Sequence, residues 1–226
     1  MVMSTQKHTC SIHQPNFFPW LGYFDKIRRA DVFIFLDDVA YPKSGSGMGS
    51  WTNRVKINIQ GRAAWVGCPV RRTSGMQRIL DVRIDDSSPW RTKLLKTLEA
   101  NYKRSPNYDA AMAVIRPLIE YPMDNLADFN INAITAIGKA LGLTATFERQ
   151  SDLKVEEKAT ELLINLAKAV GADAYLCGSG AGGYQEDELF HQCGIELIYQ
   201  NFRSEPYGQT DRFLPGLSVI DYLFYR

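Results

Sequence analysis

His13, Gln14 and Asn16 lie within four positions of one another in "SIHQPNFFPWLGYFDKI", residues 11–27. A histidine can donate a hydrogen bond, accept one, or carry a proton near neutral pH. The two amides beside it offer donor–acceptor pairs, and Pro15 and Pro19 stiffen the segment that presents them. Three such side chains exceed what a turn needs. The stretch therefore reads as a working loop. His13 would be a general acid/base or a phosphate ligand, Gln14 and Asn16 would orient an acceptor, and Trp20 would wall the pocket. Gly22, opening a helix, would let a phosphate approach backbone N–H groups. The competing use is a polar loop whose His and Asn bond backbone carbonyls.

A second cluster is "DDVAYPKSG" followed by "WTNRVKI". Asp37 and Asp38 could act as a carboxylate pair on a divalent ion or a substrate amine. Lys43, Asn53, Arg54 and Lys56 are the nearby binding candidates. Arg54 and Lys56 share a strand face by the two-residue period and could clamp an anion. Ordinary ion pairs at a sheet edge are the alternative. A third cluster is "CGSGAGGYQEDE" (177–188), a Gly/Ser loop with Ser179 and Tyr184 as ligand candidates. It matches neither the dinucleotide fingerprint nor the P-loop. Glu186, Asp187 and Glu188 would repel a phosphate there, so close backbone approach to a neutral ligand or another loop is preferred. Near the C-terminus, Gln200, Arg203 and Gln209 could close a cleft wall, although a tail packed across a sheet edge fits the composition better.

These residues need elements to hold them. "TCSIH" (9–13) reads as a buried strand, 20–29 as a helix, and "DVFIFLDD" (31–38) as a strand covered on both faces. That is a βαβ unit, with both polar clusters at strand C-terminal ends, where open α/β sheets bind ligands. "WTNRVKINI" and "AAWVGCPV" read as a hairpin across "QGR", and "ILDVRID" (79–85) as a further strand. Ser88-Pro89 and Ser105-Pro106 read as helix starts, each serine the N-cap. Apolar stripes at Trp90, Leu94, Leu95, Leu98, at Ile131, Ile134, Ile137, Leu141, and at Leu162, Leu163, Leu166, Val170 read as helical core faces. "TATFER", "DAYLCG" and "IELIYQ" are late strands, and "LSVIDYLF" a last helix. The expected class is α/β: a mostly parallel sheet flanked by helices, begun by a βαβ unit, with an added β-hairpin and a helical subdomain. Residues 1–226 would form one domain, with 88–142 as the subdomain.

The 226 residues carry 45% hydrophobic and 23% charged residues and a net charge of +1, so no global field draws the chain to nucleic acid or membrane. Residues 54–104 hold 12 Lys/Arg against 4 Asp/Glu, and residues 105–200 hold 6 against 14. The functional reading of that basic middle is a rim for an anionic small-molecule substrate; its plain reading is solvated faces. Cys10, Cys68, Cys177 and Cys193 form no CxxC pair, so no metal site is expected. The first eight residues lack the apolar core of a signal peptide, which points to the cytoplasm. The sequence carries no signature of a particular cofactor or oligomeric state.

"HQPNFFPWLGYFDKI", "DVFIFLDDVAYPKSG", "WTNRVKI", "YLCGSGAGGY" and "LSVIDYLF" together resemble the WbqC-like family over nearly the whole chain. "GSGMG" before Trp51 departs from it, being longer than in relatives. The resemblance implies a place among bacterial O-antigen and other surface-polysaccharide genes, and carries over no catalytic residue. The opening strand, "HQP" and Gly22 are also similar to nucleotidyltransferase-type α/β folds, in which a second His after the Gly steadies the transferred phosphate; here Tyr23 takes that place. The expected function is a transferase acting on a nucleotide-activated sugar or related phosphorylated metabolite, by acyl/aminoacyl or nucleotidyl transfer. The alternative is a non-catalytic binding or assembly partner in the same pathway.

Overall fold

Residues 7–42, 50–71, 73–178, 186–208 and 213–226 are described by a computed structural model. The chain divides into two compact units, Met1–Gln14, Asp25–Asp37 and Gly142–Arg203 in the first, Pro15–Phe24, Asp38–Leu141 and Ser204–Arg226 in the second.

The first unit is a five-stranded parallel sheet. β1 (Thr9–His13), β2 (Val32–Phe35), β5 (Thr146–Arg149), β6 (Ala174–Cys177) and β7 (Glu196–Tyr199) lie in the order β5-β2-β1-β6-β7. Every residue of β2 and β6 is buried, while the edge strands β5 and β7 are partly exposed. This is why the inner strands read as unbroken apolar runs. Phe35 stacks on Phe147 at 5.5 Å and fastens β2 to β5. Parallel neighbours need crossovers. α1 (Leu21–Arg29) links β1 to β2, α5 (Gln150–Leu153) and α6 (Ala159–Ala169) link β5 to β6, and α7 (Asp187–Gln192) links β6 to β7.

The strand order makes the first unit doubly wound. The chain lays β1, β2 and β5 outward in one direction, then returns to place β6 on the other side of β1 and β7 beyond it. The direction therefore reverses between β1 and β6, and the ends of those strands flank the crevice where such sheets take ligands.

The second unit holds the antiparallel hairpin β3 (Arg54–Ile59) and β4 (Arg62–Gly67), a 3-10 turn (Ile79–Asp81), and helices α2 (Trp90–Tyr102), α3 (Tyr108–Glu120), α4 (Leu126–Ala140) and α8 (Val219–Tyr225). Ile59 pairs with Arg62 across Gln60 and Gly61, whose φ values of 52° and 80° make the primed turn that suits a twisted hairpin. Phe17, Phe18, Trp90 and Phe129 meet in the core, with Phe17 and Phe18 edge to face at 4.9 Å.

Two local expectations are corrected. "ILDVRID" is not a strand: its first residues coil into the 3-10 turn, and Arg83 and Ile84 make single bridges to Asn125 and Val70. Neither serine caps its helix. α2 is entered from Pro89 and α3 from Asn107, without side-chain caps, whereas Ser218 caps α8 by accepting from Ile220 N–H. The stripe of α2 is buried as expected. In α4 the buried face runs through Phe129, Ala133, Ile134 and Ile137, leaving Ile131 and Leu141 half-buried.

Candidate functional site

The expected residues fall in both units. His13, Gln14 and Asp37 belong to the first; Asn16, Trp20, Gly22, Tyr23, Asp38, Asn53, Arg54 and Lys56 belong to the second. Lys43, Ser179 and Tyr184 lie outside the described residues.

In the first unit His13 closes β1, half-buried, beside the reversal point. Ser11 pairs with Leu176, so continuing that register brings His13 level with Gly178 at the end of β6. Among the described residues nothing lies within 4 Å of where a Cβ on Gly178 would be. His13 Nδ1 lies 3.1 Å from the Gln14 carbonyl. A carbonyl only accepts, so Nδ1 carries the hydrogen and Nε2 is the acceptor nitrogen. Burial, with the Lys26 charge adding to it and the Gln14 bond opposing it, brings the His13 pKa down to about 3. The ring is neutral at physiological pH, which corrects the expectation of a proton carrier near neutrality. Neutral Nε2 can accept a hydrogen bond from a hydroxyl but is too weak a base to take its proton.

Asp37 does different work from that expected. Its carboxylate is fully buried and accepts from Arg149 Nε at 2.8 Å, Ser151 N at 3.1 Å and Ser151 Oγ at 2.9 Å. With its oxygens spent on these donors, it ties the ends of β2 and β5 together.

Lys26 is a group that no sequence pattern singles out. On α1, it is 3% exposed and donates from Nζ to the Ile12 carbonyl at 3.0 Å. Burial lowers its pKa to about 8. Burial likewise raises the Cys10 thiol to about 12, so it stays protonated.

In the second unit the segment after Gln14 is core. Asn130 Nδ2 donates to the carbonyls of Pro15 (2.8 Å) and Thr52 (2.7 Å), and Ser218 Oγ donates to the Phe18 carbonyl (2.6 Å). Asn16 is buried within this segment. A Cβ on Gly22 would run into the Trp20 indole, with Cζ3 at 2.8 Å. Gly22 thus makes room for Trp20, correcting its expected role at a phosphate. Tyr23 is buried against Phe24, and burial raises its pKa well above the usual phenol value.

Asp38 pairs with Arg78 Nη1 at 2.9 Å. Both aspartates thus already hold an arginine, which corrects the expectation of a shared carboxylate pair. Among the described residues no group of three His, Cys, Asp or Glu is placed to hold a metal ion. Asn53 is a brace: Nδ2 donates to the Cys68 carbonyl at 3.0 Å and Oδ1 accepts from Tyr41 Oη at 3.0 Å.

Arg54 and Lys56 do share one face of β3, and the structure adds what lies under them. The Arg54 guanidinium is 4.1 Å and Lys56 Nζ 5.1 Å from the Trp65 ring centre. Trp51, 46% exposed, lies 4.9 Å from Trp65. Two cations held over one indole, with a second indole beside it, form a platform for an anionic, ring-bearing ligand. Arg54 Nε is buried and has no hydrogen-bond partner among the described residues.

A cavity of about 900 Å³ in the second unit involves none of the expected residues. At its base the buried Asp221 accepts from Tyr102 Oη at 2.7 Å and Tyr207 Oη at 2.8 Å. Lys96, Lys103 and Arg104 stand among its lining.

Among the described residues no helix is long and apolar enough to cross a membrane. No solved structure matches the chain. It is 28% identical over 219 residues to a protein of Mycobacterium tuberculosis (strain ATCC 25618 / H37Rv) named "Uncharacterized protein Rv1507c", covering 95% of this chain and 92% of that one. The model of the WbqC-like protein family matches residues 14–226. The chain is a member of the WbqC-like protein family.

Proposed function

We propose that the protein is a transferase acting on a nucleotide-activated sugar or a related phosphorylated metabolite in bacterial surface-polysaccharide (O-antigen) biosynthesis. The observation that carries this reading is the position of His13 and Gln14 at the reversal point of a doubly wound parallel sheet, beside the end of β6. A neutral His13 with Nδ1 fixed by the Gln14 carbonyl would offer Nε2 to an acceptor hydroxyl. In the second unit, Arg54 and Lys56 over Trp65 suit an anionic partner carrying a ring. The family name supports the pathway. The absence of a free carboxylate at Asp37 favours transfer that relies on positioning and charge stabilisation over carboxylate base catalysis.

The test is a thermal-unfolding panel of nucleotides, sugar nucleotides and free sugars. A ligand at 100 times its dissociation constant stabilises the native state by about 2.7 kcal/mol. Sugar nucleotides should raise the midpoint by several degrees and free sugars should not. A panel in which neither nucleotides nor sugar nucleotides act would sink the reading.

A further inference from the structure

Three charged side chains among the described residues are buried: Lys26, Asp37 and Asp221. Two are answered. Asp37 has the Arg149 guanidinium and Ser151, and Asp221 has two tyrosine hydroxyls. Lys26 is the exception. An ammonium has three hydrogens to donate, and a single backbone carbonyl takes one of them. Among the described residues no carboxylate lies within ion-pair distance of Nζ. Asp25, its chain neighbour, is held by Arg28, Arg29 and Gln200. An uncompensated buried charge costs several kcal/mol, and replacing it with a packed apolar chain of similar size is commonly neutral or stabilising. A lysine held this way is therefore explained poorly by stability alone.

Its address supplies the rest. Ile12, whose carbonyl it bonds, is one residue short of the end of β1. Cys177, level with Ile12 when the register of β1 and β6 is continued, ends β6. Those are the two strands between which the sheet reverses direction, and among the described residues nothing lies within 4 Å of a Cβ placed on Gly178, the residue after Cys177. The positive charge thus lies beside the C-terminal end of β1, one of the two strands that flank the reversal point.

We propose that Lys26 is the anion-binding group of the first unit, its ammonium receiving a phosphate of a ligand seated over the ends of β1 and β6. This rests on the reading of that crevice as the ligand site, and it names the charge that reading lacked there. The ligand class is a phosphate or diphosphate ester, in keeping with a compact, strongly hydrated point charge rather than a guanidinium fork.

The test compares wild type with Lys26→Met by thermal unfolding, alone and with millimolar inorganic pyrophosphate. Pyrophosphate should raise the wild-type midpoint and leave the variant unmoved, while the variant without ligand should melt at or above wild type. A variant that melts several degrees lower yet keeps the pyrophosphate response makes Lys26 a brace for β1 and overturns the proposal. So does a wild type indifferent to pyrophosphate. If the variant fails to fold, the wild type still decides. Acylation of Lys26, followed by mass spectrometry, should slow roughly tenfold at ten times the pyrophosphate dissociation constant, relative to exposed lysines; no protection overturns the proposal. A pyrophosphate response without any sugar-nucleotide response would remove the transferase reading and keep Lys26.

Discussion

Arg149 reaches Oδ2 of Asp37 with both Nε and Nη2, each at 2.8 Å, while the carboxylate is fully buried and the guanidinium side chain keeps 31% of its surface exposed. The pair joins the last residue of β5 to the residue two beyond β2, on neighbouring strands of the sheet. Breaking a buried pair by removing one partner leaves the other charge stranded, at a cost of about 3–5 kcal/mol. Arg149 can turn toward water, and the fully buried Asp37 cannot. Arg149→Ala is therefore expected to lower the urea midpoint strongly by stranding the buried carboxylate, and Asp37→Ala to lower it less, since the released guanidinium reaches water. An Asp37→Ala protein with a wild-type midpoint and no turnover would return Asp37 to catalysis.

How much of this site could be read in the residues themselves follows from what each residue type declares. His13 and Gln14 declared themselves because polar side chains at the end of a buried strand are conspicuous. Asp37 and Asp38 looked like a pair because they are adjacent. The partner that decides the role of Asp37 lies 112 positions away, and no local pattern points to it. Lys26 was hidden in another way. Three basic residues follow one another in the last turn of α1, Lys26, Arg28 and Arg29, and nothing in their types says which one is buried. In the sequence Trp65 is one strand residue among others, and only the register of Lys56 with Trp65 brings the indole under the cations.

His13 gives the stability curve its acid limb. Its pKa is about 3 in the folded chain and near 6.5 when unfolded. Between those values the unfolded chain binds a proton that the native chain does not, so stability falls as pH drops from about 6.5 toward 3. Discounted for the part exposure of the ring, the loss is ~3 kcal/mol over that window. His13→Asn keeps a donor for the Gln14 carbonyl and cannot titrate. Unfolding free energies of the two proteins should converge as pH falls from 7 toward 4. Parallel curves would mean the native ring takes up its proton as readily as the unfolded one.

The sheet was legible where apolar runs and strand ends coincide. "TCSIH" became β1 residue for residue, and "DAYLCG" and "IELIYQ" each hold the predicted strand within one residue of either end. "ILDVRID" misled because Val82 and Ile84 are buried in alternation, as a strand's would be. A strand also needs a continuous partner, and here Arg71 N to Arg83 O and Ile84 N to Asp124 O bind two different segments. Alternation reports burial on one side; it does not report who stands alongside. The serine caps failed for a related reason, since Ser-Pro suits a helix start but the first hydrogen-bonded turn begins at Trp90 and Tyr108.

The hairpin offers a stabilising change. Gln60 occupies a left-handed conformation, φ 52°, at the first position of its two-residue turn, and Gly61 follows at φ 80°. Asn-Gly is the favoured pair for that geometry, because asparagine tolerates the left-handed region better than glutamine does. Asn58 Oδ1 already accepts from Gly61 N–H at 2.8 Å and is untouched by the change. Gln60→Asn should raise the unfolding free energy by about 0.5–1 kcal/mol. Gly61→Val, forcing a branched residue to positive φ, should lower it. The reverse order in a denaturant series would show that the turn is not formed as described.

Asp221 sets two tyrosines against each other in a way that separates buried from accessible hydrogen bonds. Tyr102 is 1% exposed; its hydroxyl donates to Oδ1 of Asp221 and accepts from Asn58 N–H at 3.0 Å. Tyr207, half-buried, donates to Oδ2 alone. Tyr102→Phe strands a buried carboxylate oxygen and a backbone N–H together, at ~1–3 kcal/mol for each group left unsatisfied. Tyr207→Phe leaves an oxygen that water can reach from the cavity, so ~1 kcal/mol is expected. Burial raises the Asp221 pKa in the folded chain, with the two tyrosine bonds opposing. The native state therefore holds its proton longer than the unfolded chain, and stability declines as pH rises from about 3.8 up through the raised folded pKa, opposite in sign to the His13 limb. Tyr102→Phe removes a bond to the ionised form, so it should cost more at pH 7 than at pH 4, as urea unfolding at the two values would register. Equal costs at both would mean the hydroxyl is held by Asn58 and contributes little to the carboxylate.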